Sequence, residues 1–316
     1  RHYSQLVNDC TSRADLSFVI GEMIAELNVG HAYYFGGDVE PTPSVSVGML
    51  GCSFELENGA YRVGTIYEGG PLEPEARSPL TESGIDVAEG DYLLAVNGVP
   101  VDTDRDPWAA FQGLAGRVVT LTVSERPRMD DEARDVVIEL IDEGRQRDLV
   151  YRHWIEQNRR YIDERSDGRI GYIYVPDTGG FGRRELFRQF TSQYARDALI
   201  VDERWNGGGN DPRPFVDLLH KPMSSFWATR NIDKLQPDPA YAHYGPKCLL
   251  INESAGSGGD NFPYLFRELG AGPLIGTRTW GGLVGLSGNP GLIDGGYASV
   301  PTFAFVNKDG TWGIEG

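Results

Sequence analysis

The stretch Lys247-Cys248-Leu249-Leu250-Ile251-Asn252-Glu253-Ser254-Ala255-Gly256-Ser257-Gly258-Gly259-Asp260, continued by Asn261-Phe262-Pro263-Tyr264-Leu265-Phe266-Arg267-Glu268-Leu269, joins three different patterns. A short, almost wholly apolar run comes first, which reads as a strand buried on both faces. A turn of the smallest residues follows. Phe262, Leu265, Phe266 and Leu269 then recur at the spacing of one helical face. The whole is a strand, a tight elbow and a helix, and it puts Ser257 beside a helix N-terminus whose unpaired N–H groups favour negative charge. A serine there is either an exposed nucleophile or a helix cap, and this stretch alone supports both readings.

Working outward, the same alternation repeats. Ile170-Gly171-Tyr172-Ile173-Tyr174-Val175 is a strand, a helix is predicted near 183–195, and Ala198-Leu199-Ile200-Val201-Asp202 is the next strand. A helix near 212–220, the strand at 247–252, a helix from about 259 to 269 and the run Pro273-Leu274-Ile275-Gly276 complete the series. Apolar strands separated by helices predict right-handed βαβ units and a mainly parallel sheet, with sites where the strands end. A second strand end stands out: Asp202-Glu203-Arg204-Trp205-Asn206-Gly207-Gly208-Gly209-Asn210. Consecutive glycines let a backbone approach a ligand closely and offer N–H groups to an oxyanion. The same loop type also cradles phosphates or simply packs, but no Lys-Ser/Thr pair follows and there is no Gly-x-Gly-x-x-Gly, which disfavours nucleotide binding.

Toward the N-terminus, Leu16, Val19, Ile20, Met23, Ile24 and Leu27 predict a packed helix over 16–28 with Asp15 as its cap, ending in Asn28-Val29-Gly30-His31-Ala32-Tyr33-Tyr34. From about 45 to 128 the chain turns to short β-rich runs divided by Gly and Pro. Among them Gly90-Asp91-Tyr92-Leu93-Leu94-Ala95-Val96-Asn97-Gly98 resembles the corresponding segment of a PDZ domain, with Asn97-Gly98 as a two-residue hairpin turn. The resemblance makes Gly48, Met49, Leu50 and Gly51 the candidate loop for a peptide carboxylate, the alternative being a structural spacer with no free groove. A charged amphipathic helix is expected over 145–165. The expected organisation is an N-terminal helical segment over 1–42, a PDZ-like domain over 43–130 and an α/β core over 131–316.

Composition narrows the function. With 29 basic and 46 acidic residues, net charge -17, the chain has no electrostatic footprint for nucleic acid or an anionic membrane surface. Cys10, Cys52 and Cys248 are odd in number and far apart, which argues against a disulfide framework and a zinc knuckle. With no run of the roughly 20 apolar residues a spanning helix needs and no apolar leader at Arg1-His2-Tyr3-Ser4, the expectation is a cytoplasmic protein. The missing initial methionine also points to an excerpt of a longer chain.

Taken together, the PDZ-like segment, the glycine loop 202–209, the elbow 254–260, Gly276-Thr277-Arg278-Thr279-Trp280-Gly281-Gly282 and the ending Trp312-x-x-Glu315-Gly316 resemble the tricorn-type peptidases of the C-terminal processing peptidase family, in their catalytic half. The resemblance implies a crotonase/Clp-like βαβ spiral with an inserted PDZ-like domain. It implies a serine endopeptidase degrading short unfolded peptides in the cytosol, downstream of the proteasome, without metal or organic cofactor. By position, Ser257 is the nucleophile, His31 the base, Glu315 its orienting carboxylate, and the amides of Gly209 and Gly258 the oxyanion hole. These roles suit the chemistry, because serine needs a base and histidine is the side chain whose ordinary titration range fits that task. A homo-hexamer, aminopeptidase partners and preceding β-propellers are further implications.

The pattern departs from the family in three places. Gly30 stands where the family has a serine linking histidine to glutamate, so water or a direct His31–Glu315 contact has to substitute, and slow turnover is expected. Gly258 replaces an acidic residue. Nothing acidic lies near Phe226-Trp227-Ala228-Thr229, so Trp227 and Ala228 point to a P1 pocket for apolar or aromatic side chains. Two rival readings are a catalytically weak or inactive peptide-binding PDZ/pseudo-peptidase and a crotonase-like acyl-CoA enzyme, which would form no covalent serine adduct.

Overall fold

A computed structural model describes residues 2–70, 73, 76–313 and 315. Gly316 of the closing motif lies outside the described residues. The chain divides into two compact units, Arg1–Pro41 with Tyr161–Gly316, and Thr42–Arg160.

The chain opens with α1 (His2–Leu6), α2 (Arg13–Ala25) and β1 (Tyr33–Phe35). Ser12, rather than Asp15, caps α2. Its hydroxyl accepts the Asp15 N–H at 3.1 Å, and the Asp15 carboxylate accepts the Ser12 N–H at 2.9 Å, a reciprocal pair that starts the helix earlier than the apolar spacing does. The expected buried face is absent: no described residue of α2 is buried, and Phe18 is 69% exposed.

In the 42–160 unit, β2 (Cys52–Glu57), β3 (Ala60–Ile66), β4 (Tyr92–Val96), β5 (Val99–Pro100), β6 (Val118–Ser124) and β7 (Arg134–Glu139) form an antiparallel sheet in the order β2-β3-β4-β6-β7, with β5 on β4. Helix α3 (Glu143–Arg165) follows. The Asn97-Gly98 turn is present as read: φ is 50° and 76° at the two residues, and Val96 pairs with Val99. The β-rich unit runs past the expected end at 130 because β7 pairs with β6 along its whole length. The charged stretch before it masks an alternation in which Val136 and Ile138 are buried and Val137 is exposed.

The candidate carboxylate loop is already committed inside this unit. The N–H groups of Gly48 and Met49 donate to the carbonyls of Phe111 and Ile141, and that of Gly51 donates to Gln146 Oε1. Leu50 is buried in the core. The loop fastens the sheet to its surroundings, so these three amides are not available to a peptide carboxylate.

The rest of the chain holds β8 (Ile170–Tyr174), α4 (Gly180–Gln193), β9 (Ala198–Asp202), α5 (Arg213–Leu219), β10 (Ser225–Trp227), β11 (Gln236–Asp238), β12 (Lys247–Ile251), α6 (Gly258–Glu268), β13 (Leu274–Gly276) and β14 (Tyr297–Ser299). Strands β13-β12-β9-β8 make the expected parallel sheet. Ile173, Val201 and Leu249 from its strands and Phe215, Phe262 and Phe266 from its helices share one core. β1 pairs antiparallel with β14, Tyr33 opposite Ser299, and β10 pairs with β11. None of these three-residue strands is long enough to show a period in the sequence.

Candidate active site

The elbow after β12 is strained. Ser257 has φ 58° and ψ −116°, a left-handed backbone that a non-glycine residue adopts only when its surroundings impose it. The surroundings here are the buried carboxylate of Asp260. It accepts the N–H groups of Ser257 at 2.7 Å, Gly281 at 2.7 Å and Gly282 at 3.0 Å, tying the elbow to the loop at 280–282. The Asp260 N–H in turn donates to the Ser257 carbonyl at 2.9 Å.

Opposite Ser257 stands His31, also with a positive φ, 62°. Its Nε2 is 3.1 Å from Ser257 Oγ, the distance of a nucleophile–base hydrogen bond across 226 positions of sequence. Two things hold the histidine. Ser299 Oγ donates to the His31 carbonyl at 2.7 Å while accepting the Tyr33 N–H at 2.9 Å, so the β1–β14 pairing fixes the backbone. The ring of Trp280 packs against the imidazole with centroids 5.5 Å apart.

Glu315 lies near, but not on, the imidazole. Its Oε1 accepts the Gly30 N–H at 3.2 Å, and its Oε2 accepts those of Leu283 at 3.0 Å and Val284 at 2.9 Å. His31 Nδ1 is buried without a hydrogen-bond partner among the described residues. A direct His31–Glu315 bond is therefore not formed. A side chain on residue 30 would enter beside Glu315: a Cβ on Gly30 would lie 3.2 Å from Glu315 Oε1.

The glycine loop completes the site. Asn206, fully buried, donates to the Val175 carbonyl, accepts the Gly208 N–H at 2.9 Å through Oδ1, and accepts the Gly256 N–H at 3.1 Å through its own carbonyl. That one residue locks the loop against the elbow. As a result the Gly209 amide nitrogen lies 3.1 Å from where a Cβ on Gly258 would stand. Among the described residues, neither the Gly209 nor the Gly258 N–H donates to any other group. Two uncommitted donors beside a nucleophile are the arrangement that receives a developing oxyanion.

At the start of the loop, Glu203 is buried with both carboxyl oxygens unpartnered among the described residues. Burial first, then the charges of Asp260 and Asp202, push its carboxyl well above the usual range. Asp202 beside it is paired with Arg204 at 2.6 Å and accepts the Tyr172 hydroxyl at 2.7 Å. Trp227 and Ala228 lie on or beside the exposed β10–β11 hairpin and, among the described residues, make no hydrogen bond or ring contact with the Ser257–His31 pair. Asp260, Asn206 and Ser299 were not singled out by sequence; only Asp260, three residues after Ser257 at a helix start, carried a readable signal, that of a capping box.

Residues 48–143 match the family model described as tricorn protease PDZ domain, and residues 169–316 match peptidase family S41. The tricorn protease of Thermoplasma volcanium is 35% identical over 313 residues, which covers 99% of this chain and 30% of that protein. Tricorn protease homolog 1 of Streptomyces coelicolor is 34% identical over 317 residues, 99% of this chain and 29% of that protein. A crystal structure of the tricorn protease superposes with a TM-score of 0.87 at 37% identity, over 99% of this chain and 30% of that one. The chain thus spans under a third of the length of these relatives. It joins a tricorn-type PDZ domain to a domain of peptidase family S41, a family of serine peptidases; the S41 domain carries Ser257, His31 comes from the segment ahead of both, and the chain is similar over 99% of its length to the tricorn proteases.

Proposed function

We propose that this chain is a serine endopeptidase acting on short unfolded peptides, with Ser257 as nucleophile and His31 as base. The observation that carries the reading is the 3.1 Å approach of His31 Nε2 to Ser257 Oγ on an elbow held in a left-handed conformation. Ser257 Oγ attacks the scissile carbonyl as His31 takes its proton, and the Gly209 and Gly258 amides receive the oxyanion. His31 then returns the proton to the leaving amine, and water hydrolyses the acyl-enzyme with His31 again as base. Glu315 acts through the backbone: by gathering the amides of residues 30, 283 and 284 it sets the loop that presents His31. The proposal includes a crotonase/Clp-like spiral for the parallel layer, supported by its β8-α4-β9-α5-β12-α6-β13 order, and a cytosolic, homo-oligomeric protein.

A fluorophosphonate probe tests the chemistry. Wild-type protein is expected to label covalently, and Ser257→Ala and His31→Ala to remain unlabelled at the same exposure. Labelling that survives Ser257→Ala overturns the assignment, and a wild-type chain that never labels leaves the non-catalytic peptide-binding reading in its place.

A further inference from the structure

Helix α5 follows the glycine loop of the active site in sequence, and α4 starts beside it. Gly179, which precedes α4, lies against Gly209: a Cβ on Gly209 would come within 2.7 Å of the Gly179 amide nitrogen. Arg213, the first residue of α5, is only a few positions beyond Gly209. Along the first two turns of these helices runs an open groove of about 530 Å³ lined by Gly180 at its start. Its floor is apolar and uncovered, with Phe187 61% exposed beside Pro214 and Leu218.

The rim is cationic. Arg183, Arg184 and Lys221 all line the groove, in a chain whose net charge is -17. The one carboxylate among the lining residues, Asp217, is paired with Arg213 at 3.0 Å. Asp177, at the start of α4, commits its Oδ1 to the Gly179 and Gly182 amides. Among the described residues Arg183, Arg184 and Lys221 enter no ion pair, and the Arg184 guanidinium lies 5.9 Å from the centre of the Phe181 ring. An exposed aromatic floor beside cations outside any ion pair selects a ligand with an apolar body and a negative tip, because each half alone would leave the other unused.

We propose that this groove is a substrate subsite for peptide segments in which an acidic side chain stands next to a large apolar one. The apolar residue lies on Phe187 and Leu218, and the carboxylate sits among Arg183, Arg184 and Lys221. The inference rests on the serine peptidase reading, which gives a subsite something to serve; the groove starts at Gly180, next in sequence to the Gly179 that lies against Gly209. Charge complementarity here draws a peptide out of solution toward an otherwise acidic protein, so capture is sensitive to salt.

The test uses terminally blocked peptides differing only in a Glu-Phe or a Gln-Phe pair, together with a Gln-Phe peptide bearing a free C-terminal carboxylate. Hydrolysis is measured with the wild-type chain, and binding by fluorescence anisotropy with Ser257→Ala. The Glu peptide is expected to bind about ten-fold tighter than its blocked Gln counterpart and to show a correspondingly lower KM at similar kcat. The double substitution Arg183→Gln/Lys221→Gln is expected to abolish that difference while leaving the blocked Gln peptide untouched; Arg183→Lys/Lys221→Arg is expected to keep it. Equal affinity for the blocked peptides overturns the proposal, as does a double variant that weakens both alike or a preference confined to the free C-terminal carboxylate. A Glu preference in the binding assay with no hydrolysis by the wild-type chain upholds the groove as a peptide site and sinks the peptidase reading alone.

Discussion

Restoring a side chain at Gly30 is the sharpest perturbation this site offers. The backbone at residue 30 is not among the positive-φ positions, so a side chain brings no conformational strain. A Cβ there would lie 3.2 Å from Glu315 Oε1, 3.3 Å from the Trp280 ring and 3.4 Å from the Gly282 Cα, tight enough that the Glu315 side chain and the indole must give by a few tenths of an ångström. A serine hydroxyl would then stand beside the Glu315 carboxylate, one residue before His31, whose Nδ1 has no hydrogen-bond partner among the described residues. One hydrogen bond is worth about 0.5–1.5 kcal/mol net, which corresponds to about 2- to 13-fold in rate if it is made mainly in the transition state. Gly30→Ser is therefore expected to raise kcat on a quenched fluorogenic peptide by several-fold with little change in KM. Gly30→Ala, which pays the same crowding without the hydroxyl, is expected to be neutral or slower. If Gly30→Ser is no faster than Gly30→Ala, residue 30 does not lie on the path by which Glu315 influences His31.

Two further outcomes follow from the buried carboxyls. Folding holds a proton on Glu203 that the unfolded chain releases above about pH 4.3, so its contribution to stability is full below that pH and is lost as pH rises toward the folded value. Glu203→Gln removes this loss: urea unfolding should give the same stability as wild type below about pH 4 and a widening gain above it, about 1.4 kcal/mol per pH unit while the folded group stays protonated, whereas parallel curves would mean that Glu203 ionises in the fold. Asp260→Asn leaves one acceptor oxygen for three amides, and the loss should be about 2–5 kcal/mol in stability with a fall in kcat, measured by thermal melting and steady-state kinetics; an unchanged melting temperature would show that the elbow does not depend on this carboxylate.

The parallel layer was legible because its strands are unbroken apolar runs and its helices repeat their apolar residues at helical spacing, signals that need no knowledge of partners. Ser257 was legible for the same local reason, as a serine in a turn too small to be anything but an elbow. The end of the β-rich unit was not, since β7 looks like one more charged segment until β6 is found beside it. Nor was the fate of the Gly48–Gly51 loop: a glycine-bearing turn shows nothing of whether its amides are free, and here Phe111, Ile141 and Gln146 had taken them.

The amino-acid sequence by itself determined the βαβ layer, the Asn97-Gly98 hairpin and the elbow that offers Ser257, because each follows from periodicity and backbone sterics within a few residues. Only the tertiary structure decided that His31 meets Ser257, that the Asp260 carboxylate ties the elbow to Gly281 and Gly282, and that Glu315 grips the backbone of residue 30. The His31–Ser257 and Gly30–Glu315 bonds join positions 226 and 285 residues apart, with His31 held by two three-residue strands, and such contacts have no local signature to read.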